Sequence, residues 1–96
     1  MSKSKEELAL EVDLTQWEWL RPHLERGALI LVDPLLELAE VGVRVAADDL
    51  AQVQAWLASG VVLKPRLEQI EQWNQEPSRS FAMLVISPYV LIQPVV

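Results

Sequence analysis

Phe81-Ala82-Met83-Leu84-Val85-Ile86 and Tyr89-Val90-Leu91-Ile92-Gln93, separated by Ser87-Pro88, decide the fold. Both runs are rich in β-branched and aromatic residues and too short for a helix, so they read as strands. Proline cannot donate a ladder hydrogen bond, which makes Ser87-Pro88 a turn or a bulge. Period-two alternation puts Tyr89, Leu91 and Gln93 on one face, with Val90 and Ile92 on the other. Residues 81–96 hold twelve apolar side chains, so both faces are apolar. Such a strand is normally covered on both sides. Helices that straddle the sheet would bury both faces. Helices on one side only would leave Tyr89, Val90 and Ile92 as partner contacts, and that arrangement predicts a homodimer or a partner-bound subunit.

Two shorter apolar runs extend the sheet: Ala28–Val32 after Gly27, and Val61–Leu63 after Gly60. Helices fit the intervals. Ser4-Lys5-Glu6-Glu7 is a capping box for a short helix ending near Asp13, and Thr15-Gln16-Trp17-Glu18 fits a second. There Leu14 can pack on Trp19 as a hydrophobic staple, and Pro22 would kink the helix before Gly27 stops it. Trp19 lies about 200° around that helix from Trp17, so without the staple it is an exposed contact residue. Asp33-Pro34 reads as a helix start, with Leu35, Leu36, Leu38, Ala39, Val43 and Ala46 as its apolar stripe. Val41–Val45 also alternates like a strand. Asp48-Asp49 caps a helix over 50–59, with Leu50, Val53, Trp56 and Leu57 turned inward. Trp56 is thereby expected in the core, where truncation to Ala would cost about 3–5 kcal/mol. Pro65 opens a helix through Leu67, Ile70 and Trp73, and residues 74–80 form a loop. The order helix, glycine, strand, proline, helix occurs twice, around Gly27 and Gly60. Duplication would produce it; so would any αβα unit that stops on Gly and restarts on Pro.

The fold class is therefore α+β, with four or five short helices on a sheet of about four strands. The 96 residues make one compact domain with an ordered core of about 6–94. Leu, Val, Ile and Phe supply 33 of those residues, well above the roughly 20% below which chains stay disordered. Eight basic and fourteen acidic residues give a net charge of −6, which disfavours a phosphate backbone as partner. Cysteine is absent, which excludes disulfides, thiolate metal sites and thiol nucleophiles. The N-terminus lacks the apolar core of a secretory signal, and residues 81–96 are too short and interrupted to span a bilayer. A cytoplasmic location is expected.

Little in the sequence points to catalysis. His23 is the single histidine, and no glycine-rich phosphate loop or Gly-x-Ser-x-Gly elbow can be assembled. Glu37/Glu40 and Glu68/Glu71 each place two carboxylates on one helical face, the spacing a hard cation could use. A dinuclear carboxylate centre would add Glu-x-x-His pairs, which are missing here.

Trp17, Gly27, Val32-Asp33, Glu40-Val41, Asp48-Asp49, Trp56, Gly60, Trp73 and the closing Val85-x-x-Pro88-x-Val90-Leu91-x-Gln93 carry a further signal. In that order the chain resembles a domain-of-unknown-function family of small bacterial proteins from cyanobacteria and proteobacteria. The resemblance covers residues 6–93, with tryptophan expected where Phe81 and Tyr89 stand. It implies a compact domain and brings no catalytic residue.

The favoured reading is a non-enzymatic protein-binding adaptor or accessory subunit without a cofactor, with Trp19, Tyr89, Val90 and Ile92 as contacts. The alternative is a small-molecule or metal-dependent activity built on the two Glu pairs. One histidine and no cysteine predict that no transition metal is held tightly. Elemental analysis of protein purified without chelator should find none in stoichiometric amount. A metal lost on mutating Glu37 and Glu40 together would support the alternative.

Overall fold

The computed structural model describes residues 4–95; the signal reading of Met1-Ser2-Lys3, and Val96, lie outside the described residues. The strands are β1 (Asp13–Gln16), β2 (Leu29–Val32), β3 (Val62–Leu63), β4 (Ser80–Ile86) and β5 (Tyr89–Pro94). They form one mixed sheet in the order β1-β4-β5-β2-β3. The helices are α1 (Lys5–Glu11), α2 (Trp17–Glu25), α3 (Leu38–Ala46), α4 (Leu50–Ser59) and α5 (Leu67–Asn74). The class is α+β, as expected, with five strands in place of about four.

β4 and β5 make the antiparallel hairpin, Ile86 opposite Tyr89, and Ser87-Pro88 is its two-residue turn with a cis peptide bond. β5 also runs parallel to β2, with Leu29, Ile30 and Leu31 opposite Val90, Leu91 and Ile92. The last strand thus occupies the middle of the sheet. β1 adds antiparallel to β4 and β3 antiparallel to β2.

Each central strand feeds two cores. Val32, Val62, Leu84 and Leu91 pack with Leu8 of α1, with Leu38, Ala39 and Val41 of α3, and with half-buried Trp56 of α4. On the opposite face Leu29, Phe81, Val90 and Ile92 pack with Trp17 and Leu20 of α2 and Trp73 of α5. Here Trp73 stands edge-on to Phe81, centroids 5.0 Å apart, and Trp17 sits 4.9 Å from Trp73. Such pairs add about 0.5–1.5 kcal/mol beyond the area they bury. The Trp17 indole N–H, which burial would otherwise leave unsatisfied, donates to Asn74 Oδ1 at 2.8 Å.

Helices therefore straddle the sheet, and this corrects the expectation of an open face. Val90 and Ile92 are enclosed under α2 and α5, so neither side chain can be a surface contact. The alternation itself holds: Tyr89 and Leu91 lie on the α3/α4 side, Val90 and Ile92 on the other.

Several local expectations also change. Ser4 does cap α1, accepting from the Glu7 amide at 3.2 Å. Thr15, however, lies inside β1, and α2 starts at Trp17. The staple does not form: Leu14 and Trp19 are 75% and 68% exposed. Asp33 accepts from the Leu35 amide at 2.8 Å in a turn, which delays α3 to Leu38. Gln93 holds that turn from the far end of the chain, donating to the Asp33 and Leu36 carbonyls at 3.0 and 2.6 Å. Residues 41–45 are helical. Within α3, Gly42 permits a close approach, since a Cβ there would stand 2.7 Å from Leu84 Cδ2 and 3.3 Å from Leu8 Cδ1. Asp49 caps α4 through the Gln52 amide, yet no residue of α4 is fully buried.

The repeated helix-glycine-strand-proline-helix order does not correspond to a structural repeat. A two-fold relating the antiparallel strands β2 and β3 runs perpendicular to the sheet and keeps each helix on its own face. Instead α2 precedes β2 on one face and α4 precedes β3 on the other. Gly27 and Gly60, at φ +70° and +79°, are local helix stops.

The two tryptophans separate these environments. Trp17→Ala should cost about 3–5 kcal/mol. Trp56→Ala, which empties only a partly exposed site, should cost about 1–2 kcal/mol, within the ordinary range for single substitutions. Urea denaturation midpoints of the two variants check the order; equal midpoints would contradict it.

Candidate functional site

α4 is the least embedded helix, and its sequence explains why. Leu50, Ala51, Val53, Ala55, Trp56, Leu57 and Ala58 spread around its whole circumference, more than one strip of sheet can cover. Trp56 packs on the core, while Leu50 and Leu57 remain 67% and 51% exposed. Between α4 and the sheet lies a groove of about 320 Å³. Leu50, Val53 and Leu57 form one wall; Ile30, Val62, Leu91 and Tyr89 form the sheet side.

Asp48 and Lys64 supply its charged groups. Asp48 has φ 54°, a left-handed conformation that Asp tolerates better than most residues and that turns the chain sharply from α3 into α4. Arg44 fastens the same corner. Its guanidinium lies 3.4 Å from Glu40 Oε1 and 3.2 Å from Asp49 Oδ2, linking α3 to the α4 cap. The groove mouth is thus braced at one end, and its apolar wall is left free.

The sequence-derived contacts part company. Tyr89 lines this groove. Trp19 lies at the other end of the hairpin, beside Leu14, Thr15, Gln16 and Ser80. Ser80 and Ile86, the partner of Tyr89, are six strand residues apart, about 20 Å. Val90 and Ile92 are core. The wall residues Leu50, Val53 and Leu57 were expected inside; the excess of apolar residues on α4 is the sequence signal for their exposure.

The carboxylate pairs do not form a shared centre. Glu37 accepts from Lys5 Nζ at 3.2 Å, and Glu40 faces Arg44. The Lys5 ammonium is held above its ordinary 10.5, first by this hydrogen bond and then by the charge of Glu37. A raised lysine favours the folded state through neutral pH, an effect lost only as pH climbs past that range. Glu68 and Glu71 are exposed on α5, across the sheet from α3. Among the described residues no three His, Asp or Glu side chains gather as a metal site. His23 is partly exposed on α2, its Nδ1 against the Arg26 guanidinium and away from the groove. No helix among the described residues is long and apolar enough to cross a membrane.

Comparison with curated proteins gives no match. Among solved structures, the NMR solution structure of PA1075 from Pseudomonas aeruginosa is similar, with a TM-score of 0.81 and 32% identity. The match covers 93% of this chain and 82% of that one. A family model described as protein of unknown function (DUF2288) matches residues 3–94, and the chain belongs to that family.

Proposed function

We propose that this protein is a non-enzymatic binding module, an adaptor or accessory subunit that seats an apolar side chain of a partner protein in the α4 groove. One observation carries the reading: α4 leaves an apolar wall, Leu50, Val53 and Leu57, standing open across from Tyr89. Exposed apolar surface beside a concave site is how protein interfaces anchor a partner's central residue. Tyrosine suits such a rim because its ring supplies contact area and its hydroxyl stays wet.

The alternative activity based on the Glu pairs draws no support from this site. None of the four carboxylates lines the groove, and Glu37 and Glu40 already face cations. Small-molecule pockets generally add precisely placed polar groups to an apolar lining. Among the described residues no polar or charged residue is buried, and the groove's only charged groups are Asp48 and Lys64. A protein side chain, oriented by its own backbone, has less need of such groups.

Leu57→Lys places a charge on the groove wall at a position already half exposed, so folding should survive, with a shift in midpoint of about 0.5 kcal/mol or less. Affinity isolation of the tagged protein from its own cells, with mass spectrometry, should recover a reproducible partner that this variant and Leu50→Lys lose. Recovery unchanged by both variants, or a bound metabolite in place of a protein, would overturn the proposal.

A further inference from the structure

The two edges of the sheet are unlike. β3 is two residues long and runs directly into Lys64-Pro65, a charge and a proline that discourage strand addition. β1, at the other edge, has four residues and neither lysine nor proline. Its register identifies the groups it leaves open. Trp17 N–H donates to the Arg79 carbonyl at 3.0 Å, in line with the pairings Thr15 to Phe81 and Asp13 to Met83. Antiparallel ladders bond at alternate residues, so Asp13 and Thr15 bond inward to β4. Leu14 therefore turns its amide and carbonyl away from the sheet and Gln16 its amide, two donors and one acceptor in strand geometry. The Gln16 carbonyl, at the N-cap of α2, accepts that helix's first bond. Leu14, Thr15, Gln16 and Trp19 line a shallow depression there.

Charge selects the occupant. Asp13 and Glu18 are exposed at the two ends of this strand, and neither has an ion pair among the described residues. Arg79, the basic residue at this end of β4, faces Glu76 at 3.6 Å. Pairing β1 with a second copy would bring two Asp13 and two Glu18 into one interface between chains of net charge −6. A basic strand meets the same edge with opposite charge. Asp13 and Thr15 share one face of the sheet and Leu14 and Gln16 the other, so a fitting strand alternates basic and apolar residues.

We propose that β1 is a strand-addition site for an extended, basic-apolar segment of a partner protein, a second surface independent of the α4 groove. The probe is acetyl-(Lys-Val)3-amide, titrated into isotope-labelled protein and followed by NMR, with acetyl-(Glu-Val)3-amide as its counterpart. The Lys peptide should shift the Leu14 and Gln16 amides and slow their hydrogen exchange; the Glu peptide should not. Asp13→Lys with Glu18→Lys should weaken binding about three- to tenfold, as expected for losing two exposed charge contacts. Leu14→Pro should abolish it by removing an outward donor, and Leu57→Lys should leave it unchanged, separating this site from the groove. Should Leu14→Pro fail to fold, the charge variant carries the test. Silence at Leu14 and Gln16 at millimolar peptide, equal binding of both peptides, or a free protein already dimeric with these amides protected would overturn the proposal.

Discussion

The parallel contact between β2 and β5 is the constraint on which the rest of the structure depends. It begins where the Val90 amide donates to the Ala28 carbonyl at 2.9 Å and continues through Leu29–Leu31 against Val90–Ile92. Both strands are apolar on both faces, and parallel strands in a sheet interior need cover on each side. Five short helices have to be divided between two faces. α1, α3 and α4 take one; α2 and α5, with their aromatic trio, take the other.

That division has unequal results. α2 and α5 bring Trp17, Leu20 and Trp73 to strands carrying Phe81, Val90 and Ile92, and large rings fill the space. On the other face α3 settles closely because Gly42 lets it down onto Leu84. α4 is left over the sheet margin near short β3, where little surface remains to cover its apolar residues. The groove beside Tyr89 is the product of having three helices on a face that two nearly fill.

How far the sequence discloses this can be traced residue by residue. The hairpin, β2, the caps at Ser4 and Asp49, and the stops at Gly27 and Gly60 were legible because each depends on neighbours within a few positions. The family resemblance was legible as well, and the family model covers residues 3–94. β1 was not. Only Leu14 is apolar among its four residues, and its strand conformation comes from bonding to β4, nearly seventy positions away. The late start of α3 was hidden similarly, since Gln93 clamps the 33–36 turn from 57 and 60 residues downstream. At the candidate site Tyr89 was found by alternation, whereas Leu50 and Leu57 were read as core. Periodicity shows that a helix has an apolar side; it does not show how much sheet is available to cover it.

The position of β5 has a consequence for synthesis on the ribosome. Until residues 89–94 clear the exit tunnel, β2 and β4 have no strand between them, and both cores lack the residues that β5 supplies. The turn at residues 33–36 also waits for Gln93. Only the hairpin-independent pairs, β2 with β3 and β1 with β4, can assemble earlier, and neither encloses a core. The nascent chain therefore carries its apolar runs unsheltered until residues 89–94 have emerged, and the fold closes only once this strand is free to enter between β2 and β4.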